Sequence, residues 1–285
     1  MWKRKLGLGL SDSFGLSAAE QLRAFAEIGF ESFFLDETSA AQRAFLADGA
    51  QQLARETGLI FQSIHAPFAG AADMWHADEE KADAAVHALL QCLDDCRRNE
   101  VPIMVVHAFI GFEEHQPTAR GVERYNRVVR AAEGSGVRIA FENTEGEEYL
   151  FALMDAFSGN PAVGFCWDSG HELCYNHSQN LLERFGDRLI ATHLNDNLGI
   201  RDYNGKTTWI DDLHLLPFDG VIHWAERAMR LKRCGYDGIL TFELTRTSKP
   251  GRRENNGYAR MEPMDYLTQA YQRACRVAAM LECTQ

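Results

Sequence analysis

Short apolar runs recur along the chain, and each is followed by a stretch with helical period. Residues 6–10 make the first run, and 18–28 carry the i, i+3, i+4 spacing of an amphipathic helix stopped by Gly29. Further runs at 32–35, 59–64, 103–106, 137–141, 163–167, 189–192 and 238–242 read as strands. Between and after them, residues 40–57, 78–98, 118–133, 147–157, 181–185, 224–234 and 263–281 read as helices. Glycines at 58 and 235 follow two of these helices, where a left-handed C-terminal residue is needed.

Regular alternation of strand and helix implies parallel strands joined by crossover helices. Eight such units predict an α/β fold, a closed (β/α)₈ TIM barrel, as a single domain over residues 1–285. An open doubly wound sheet is the rival. Against it, the first strand–helix turn lacks GxGxxG, and no GxxxxGK[ST] occurs. No linker, low-complexity stretch or sequence repeat divides the chain.

In a parallel barrel all strand C-termini meet at one rim, where barrel enzymes keep their sites. Here six successive strands, the third to the eighth, end in His65, His107, Glu142, Asp168, His193 and Glu243. His171, Asp212 and His214 lie in the loops just beyond. A lone histidine at a strand end is more often a hydrogen-bonded packing residue, and a lone glutamate is usually solvated. Nine such groups gathered at one rim would be costly unless something compensates them, and a divalent cation would compensate the carboxylates. Glu142, Asp168, His193 and Glu243 make a three-oxygen, one-nitrogen set that suits Mn²⁺, Mg²⁺, Co²⁺ or Zn²⁺. His65, His107, His171, Asp212 and His214 are left as substrate-binding groups or as ligands to additional metals.

Composition narrows the partners. The chain is 46% hydrophobic and 25% charged, enough for a sizeable core. A net charge of −12 disfavours nonspecific binding to nucleic acid or to an anionic membrane. Seven cysteines, at 92, 96, 166, 174, 234, 275 and 283, include no CxxC pair and read as reduced packing residues. No apolar run is long enough to span a bilayer, and the first ten residues lack a signal-peptide core. These features together predict a cytoplasmic protein.

The strand-end motifs carry a resemblance. SIHAP at 63–67, VH at 106–107, FENT at 141–144, WDSGH at 167–171, HLNDN at 193–197, DLHLLPFDG at 212–220, and GYDG at 235–238 followed by FE at 242–243 stand in one order. In that order the chain resembles the xylose-isomerase-like barrel superfamily of sugar and sugar-phosphate isomerases and epimerases. The resemblance implies that Glu142, Asp168, His193 and Glu243 hold a metal, and that Glu142 and Glu243 face the substrate as acid–base groups. It implies isomerisation or epimerisation of a small sugar or sugar phosphate through a metal-stabilised enediolate. The same superfamily contains endonuclease IV-type apurinic enzymes with a three-zinc cluster of five His, two Glu and two Asp. This chain offers a full set in the same order, so a trinuclear phosphodiesterase is the second expectation, although the acidic balance opposes a DNA substrate. A non-catalytic sugar-binding barrel is the third.

After the last strand, Arg246, Lys249, Arg252 and Arg253 follow in one loop. Arg246 and Lys249 are candidate phosphate ligands, since barrels bind phosphate near that corner. The opposing reading is a solvated loop. Trp75 and Phe68, after the third strand, are candidates to cover a sugar ring or to pack under the loop. The aromatic stretches 30–34 and 109–112 are either core and rim segments or the contact of a homo-oligomer.

Overall fold

Each inner strand ends where its last residue can look into a common mouth. The computed structural model describes residues 4–112, 116–201 and 207–283. Residues 202–206, within the long loop expected over 197–219, lie outside them. The eight strands are β1 (Leu6–Gly9), β2 (Ser32–Asp36), β3 (Ile60–His65), β4 (Ile103–His107), β5 (Arg138–Glu142), β6 (Val163–Asp168), β7 (Leu189–His193) and β8 (Leu240–Phe242). All pair in parallel in the order β7-β6-β5-β4-β3-β2-β1-β8. The ring closes between the two ends of that order. Leu194 N donates to Thr241 O at 2.9 Å, and Glu243 N donates to Leu194 O at 3.1 Å. The expected TIM barrel is therefore present, with a short bridge as its last seam.

The helices are α1 (Ala18–Ile28), α2 (Ala40–Asp48), α3 (Ala50–Thr57), α4 (Glu79–Arg98), α5 (Ala119–Ala132), α6 (Glu147–Ala156), α7 (Ser169–Cys174), α8 (Leu181–Phe185), α9 (Trp224–Arg233), α10 (Asn256–Ala259) and α11 (Pro263–Cys283). Their starts obey capping chemistry. Ser17 and Glu20 form a reciprocal box at α1, and Asp78 and Thr118 accept from the first turns of α4 and α5. One expected helix is two. Residues 40–57 break at Gly49, whose φ of 120° no helix accommodates, so α2 and α3 meet at an angle there. Two helices, α7 and α10, are too short to show a period in the sequence; α7 starts from an N-cap at Asp168, a residue type suited to that place.

Outward-facing strand residues and the inner helix faces make the main core, which includes Phe25, Phe33, Phe141, Phe165, Trp167 and Phe242. The barrel interior holds a smaller layer of Val105, Ala140, Cys166 and Ala191. These small side chains leave the next layer up, at the strand C-termini, for larger polar groups. Trp75 belongs to the packing: it lies against Tyr125 and Tyr149, and its Nε1 donates to Ala108 O at 2.8 Å. Phe30, Phe33 and Phe34 are likewise buried. Among the described residues, no helix is long and apolar enough to cross a membrane.

Candidate metal centre and active site

Strand register brings the titratable residues into neighbouring positions. His107 pairs with Glu142 across β4 and β5, and Asp168 pairs with His193 across β6 and β7. Side chains of both pairs then point to the mouth, because alternate residues of a barrel strand face inward. All nine expected residues converge there.

Glu142 is the hub. It is fully buried, and its Oε1 lies 2.9 Å from His193 Nδ1. Its Oε2 lies 3.2 Å from His65 Nε2 and 3.4 Å from His107 Nε2, while those two nitrogens are 3.1 Å apart. Glu243 Oε2 approaches the same nitrogen, His193 Nδ1, at 3.1 Å. Donor atoms of Glu142, Asp168, His193 and Glu243 all lie within 4.8 Å of one another. So do those of His65, His107 and Glu142, and those of His171, Asp212 and His214. In the last group His214 Nε2 is 2.6 Å from Asp212 Oδ2, and His171 Nε2 is 3.6 Å from the same oxygen.

These groupings fit a divalent cation. Bonds of about 2.0–2.1 Å at tetrahedral angles separate ligand atoms by roughly 3.3 Å. The triangle of His65, His107 and Glu142 has sides of 3.1, 3.2 and 3.4 Å. Glu142 Oε2, at one corner of that triangle, and Asp212 Oδ1 are buried with no hydrogen-bond partner among the described residues. Carboxylate oxygen and imidazole nitrogen together suit Zn²⁺, Mn²⁺ or Co²⁺.

The electrostatics point the same way. Burial pushes the Glu142 carboxyl up, but the neighbouring His193 charge and hydrogen bonds from the imidazoles outweigh it and hold the group well below its usual range. Burial likewise opposes ionisation of Glu243, yet His193 and His214 bring it to about 2. Asp168 goes the other way, to about 6, mainly by burial against a partial offset from His171. His65 is raised to about 9, because the Glu142 hydrogen bond and the charges of Asp36, Glu142 and Glu243 exceed its desolvation. So many ionised carboxylates demand positive charge nearby, and either imidazolium protons or a cation can supply it.

A surrounding shell orients these groups, and two of its members, Asn143 and Asn195, carry no role in the sequence reading. Asp168 caps α7, with Oδ1 accepting from His171 N at 2.6 Å and Oδ2 accepting from Asn195 Nδ2 at 2.8 Å. Asn143 clamps the Asp168 backbone on both sides, at 2.8 and 2.9 Å. Its carbonyl faces His171 Nδ1 at 3.0 Å, which sets that ring's orientation. Beneath the centre, Cys166 joins Glu142 and His193 in another close grouping. Phe34 stacks on His193 at 4.5 Å, and Phe68 stacks on His107 at 4.6 Å. The Asn143 and Asn195 positions were visible within FENT and HLNDN, directly beside the ligand residues.

The two phosphate candidates separate. Arg246 is buried, and its guanidinium donates to the carbonyls of Phe14, Tyr258, Ala259 and Met261. It ties the last loop to the barrel, and that geometry argues against the phosphate role, because main-chain carbonyls take its donors. Lys249 does reach the site, with Nζ 3.4 Å from Asp212 Oδ2. Arg252 pairs with Asp211 and Glu254 instead.

Known proteins of this architecture share the barrel. A solved IolI protein with a bound zinc atom superposes with a TM-score of 0.76 at 16% identity, covering 98% of this chain and 100% of that one. A D-psicose 3-epimerase with D-tagatose, from Clostridium cellulolyticum H10, gives 0.73 at 16% identity over 98% and 100%. A curated relative, the uncharacterized protein y4fM of Sinorhizobium fredii, is 39% identical over 113 residues. That match spans 38% of this chain and 33% of the relative's length. The family model for xylose isomerase-like TIM barrels matches residues 22–270. With nearly the whole barrel matched, the chain belongs to the xylose isomerase-like TIM barrel family.

Proposed function

We propose that this protein is a divalent-metal-dependent isomerase or epimerase of a small sugar. One observation carries the reading: Glu142, Asp168, His193 and Glu243 gather their donor atoms within 4.8 Å, and the two glutamates converge on one imidazole nitrogen, His193 Nδ1. Likeness to a sugar epimerase and to a zinc-bearing barrel supports the class of chemistry.

When bound, a divalent cation supplies a Lewis acid that takes up negative charge developing on substrate oxygens. The protein's own residues move the proton. Glu142 has both oxygens among imidazoles, whereas the Glu243 side chain is 26% exposed and opens to the mouth. Glu243 is therefore the better placed to take a proton from the carbon beside a carbonyl. Return of that proton to the neighbouring carbon from the same side, with a hydroxyl proton passing from one substrate oxygen to the other, isomerises the sugar. Inversion needs a different proton on the same carbon from the opposite face: Glu243 keeps the one it took, and Glu142 delivers one passed to it by the His65 imidazolium 3.2 Å from its Oε2. Phe34 and Phe68, packed on two of the imidazoles, limit water at the site.

The test is deuterium incorporation from heavy water into a panel of ketoses. The account expects metal-dependent incorporation that falls by about 10²–10⁴-fold in Glu243→Gln. Near-normal turnover in both Glu142→Gln and Glu243→Gln would contradict it.

A second reading has its own observation. Three donor groupings share or adjoin Glu142, which is enough for three cations and for hydrolysis of a phosphodiester. The net charge of −12 weighs against a DNA substrate. Incision of an abasic duplex, with about three zinc ions per chain, would favour this reading over the first.

A further inference from the structure

Beside Glu243 and His214 the mouth widens into a cavity of about 550 Å³ over the ends of β1, β2 and β8. Its carboxylates are Asp12, Asp36 and Glu243, and Lys249 is the only lysine or arginine among its described lining residues. That ammonium is already paired with Asp212. Arg252, close by, is spent on Asp211 and Glu254. Hydroxyl groups make up much of the remaining polar wall. Trp209 stands at its edge, 52% exposed, on a 3-10 turn (Trp209–Asp211).

We infer that this groove holds the part of the substrate remote from the reacting carbons, and that it selects an uncharged polyol over a phosphorylated one. The inference rests on the sugar reading above and narrows its substrate class. Asp12 accepts from Ser39 Oγ at 2.7 Å, and Asp36 accepts from Thr38 N at 2.7 Å. Both carboxylates are thus held in place with further acceptor capacity for hydroxyl donors. The indole offers an apolar face to the C–H side of a sugar chain, the use such rings have in wet recognition sites. A terminal phosphate would bring two negative charges toward three carboxylates, facing one ammonium and the His214 imidazole, both already held by Asp212. Discrimination then comes from a repulsive element as well as from attraction.

Calorimetric titration of the metal-loaded protein with D-fructose, D-tagatose and the 6-phosphate of each tests this directly. The neutral member of each pair is expected to bind about tenfold tighter or more. Asp12→Asn and Asp36→Asn, with unfolding profiles near wild type, should weaken the neutral sugars and narrow the gap to the phosphates. Trp209→Ala should weaken both members alike, and Trp209→Phe should restore them. Equal or tighter binding of the phosphates, unchanged selectivity in both Asn variants, or no binding by any of the four compounds would overturn the inference. Failure of the sugar reading looks different: neutral sugars would bind in the predicted order, yet no metal-dependent deuterium exchange would occur.

Discussion

Glu142 Oε1 lies 2.9 Å from His193 Nδ1, and both side chains are shut off from solvent. Each is the other's nearest charge partner, with His65 and His107 also facing Glu142 and Glu243 also facing His193. Replacing one side removes the other's nearest partner, and breaking a buried pair typically costs about 3–5 kcal/mol. His193→Ala is expected to lose about that much stability in chelator-treated protein, measured by denaturant unfolding. The same variant should also lose the stabilisation that added Zn²⁺ or Mn²⁺ gives wild type. Wild-type stability with and without metal would contradict the assignment.

Glu172 sits one residue beyond His171 on α7 and is fully buried. Arg230 grips it with two nitrogens, each at 2.7 Å, while Trp167 Nε1 donates to it at 2.9 Å and Arg227 adds a third guanidinium contact at 2.7 Å. This junction fixes the helix that Asp168 caps and that carries His171. Glu172→Ala should destabilise the fold by about 3–5 kcal/mol. Arg230→Lys, which keeps the charge but loses the two-pronged grip, should cost less and still weaken metal binding. Chemical denaturation and metal titration of both variants check this.

The Glu37 carboxyl lies buried between α2 and α4, and burial with a secondary push from Asp95 raises it to about 7. An acid raised in the folded state binds a proton that the unfolded chain releases near 4.5. Its contribution is complete below pH 4.5 and is lost as pH climbs through 7. Glu37→Gln should therefore flatten the stability profile across that window, by up to about 3 kcal/mol. Unfolding curves at pH 5 and pH 8 give the answer, and parallel losses in wild type and variant would refute it.

Asp196 gathers the long loop that delivers Asp212 and His214. Its carboxylate accepts from Phe218 N, Ile222 N and Trp224 Nε1 at 2.8, 3.0 and 2.8 Å. Gly220 passes so close that a Cβ there would run into Asp196 Oδ1 and the Asn197 carbonyl, and would sit 2.7 Å from Asn197 N. Main chain cannot yield as a flexible side chain does. Gly220→Ala is expected to cost about 1–3 kcal/mol and to lower metal stoichiometry before it abolishes folding. Thermal melting paired with elemental analysis reports both effects.

The rim residues were legible because each closes a short strand: a polar group after three to five strand residues has nowhere to point but the mouth. His65, His107, Glu142, Asp168, His193 and Glu243 all follow that rule. Their pairing across strands was not legible, because register is a property of the closed barrel. The Glu172–Arg230 pair spans 58 residues and looks in sequence like two ordinary surface charges on short helices. Arg246 misled for the opposite reason. It stands in a basic loop, and only the fold reveals four carbonyls waiting for its donors.

Metal content per chain tests the central claim most directly, measured by elemental analysis on protein purified without added metal and again after reconstitution. The account predicts at least one Zn²⁺, Mn²⁺, Co²⁺ or Mg²⁺ per chain in wild type, and loss of that ion in His193→Ala. A folded protein that takes up none of these metals after reconstitution would contradict it.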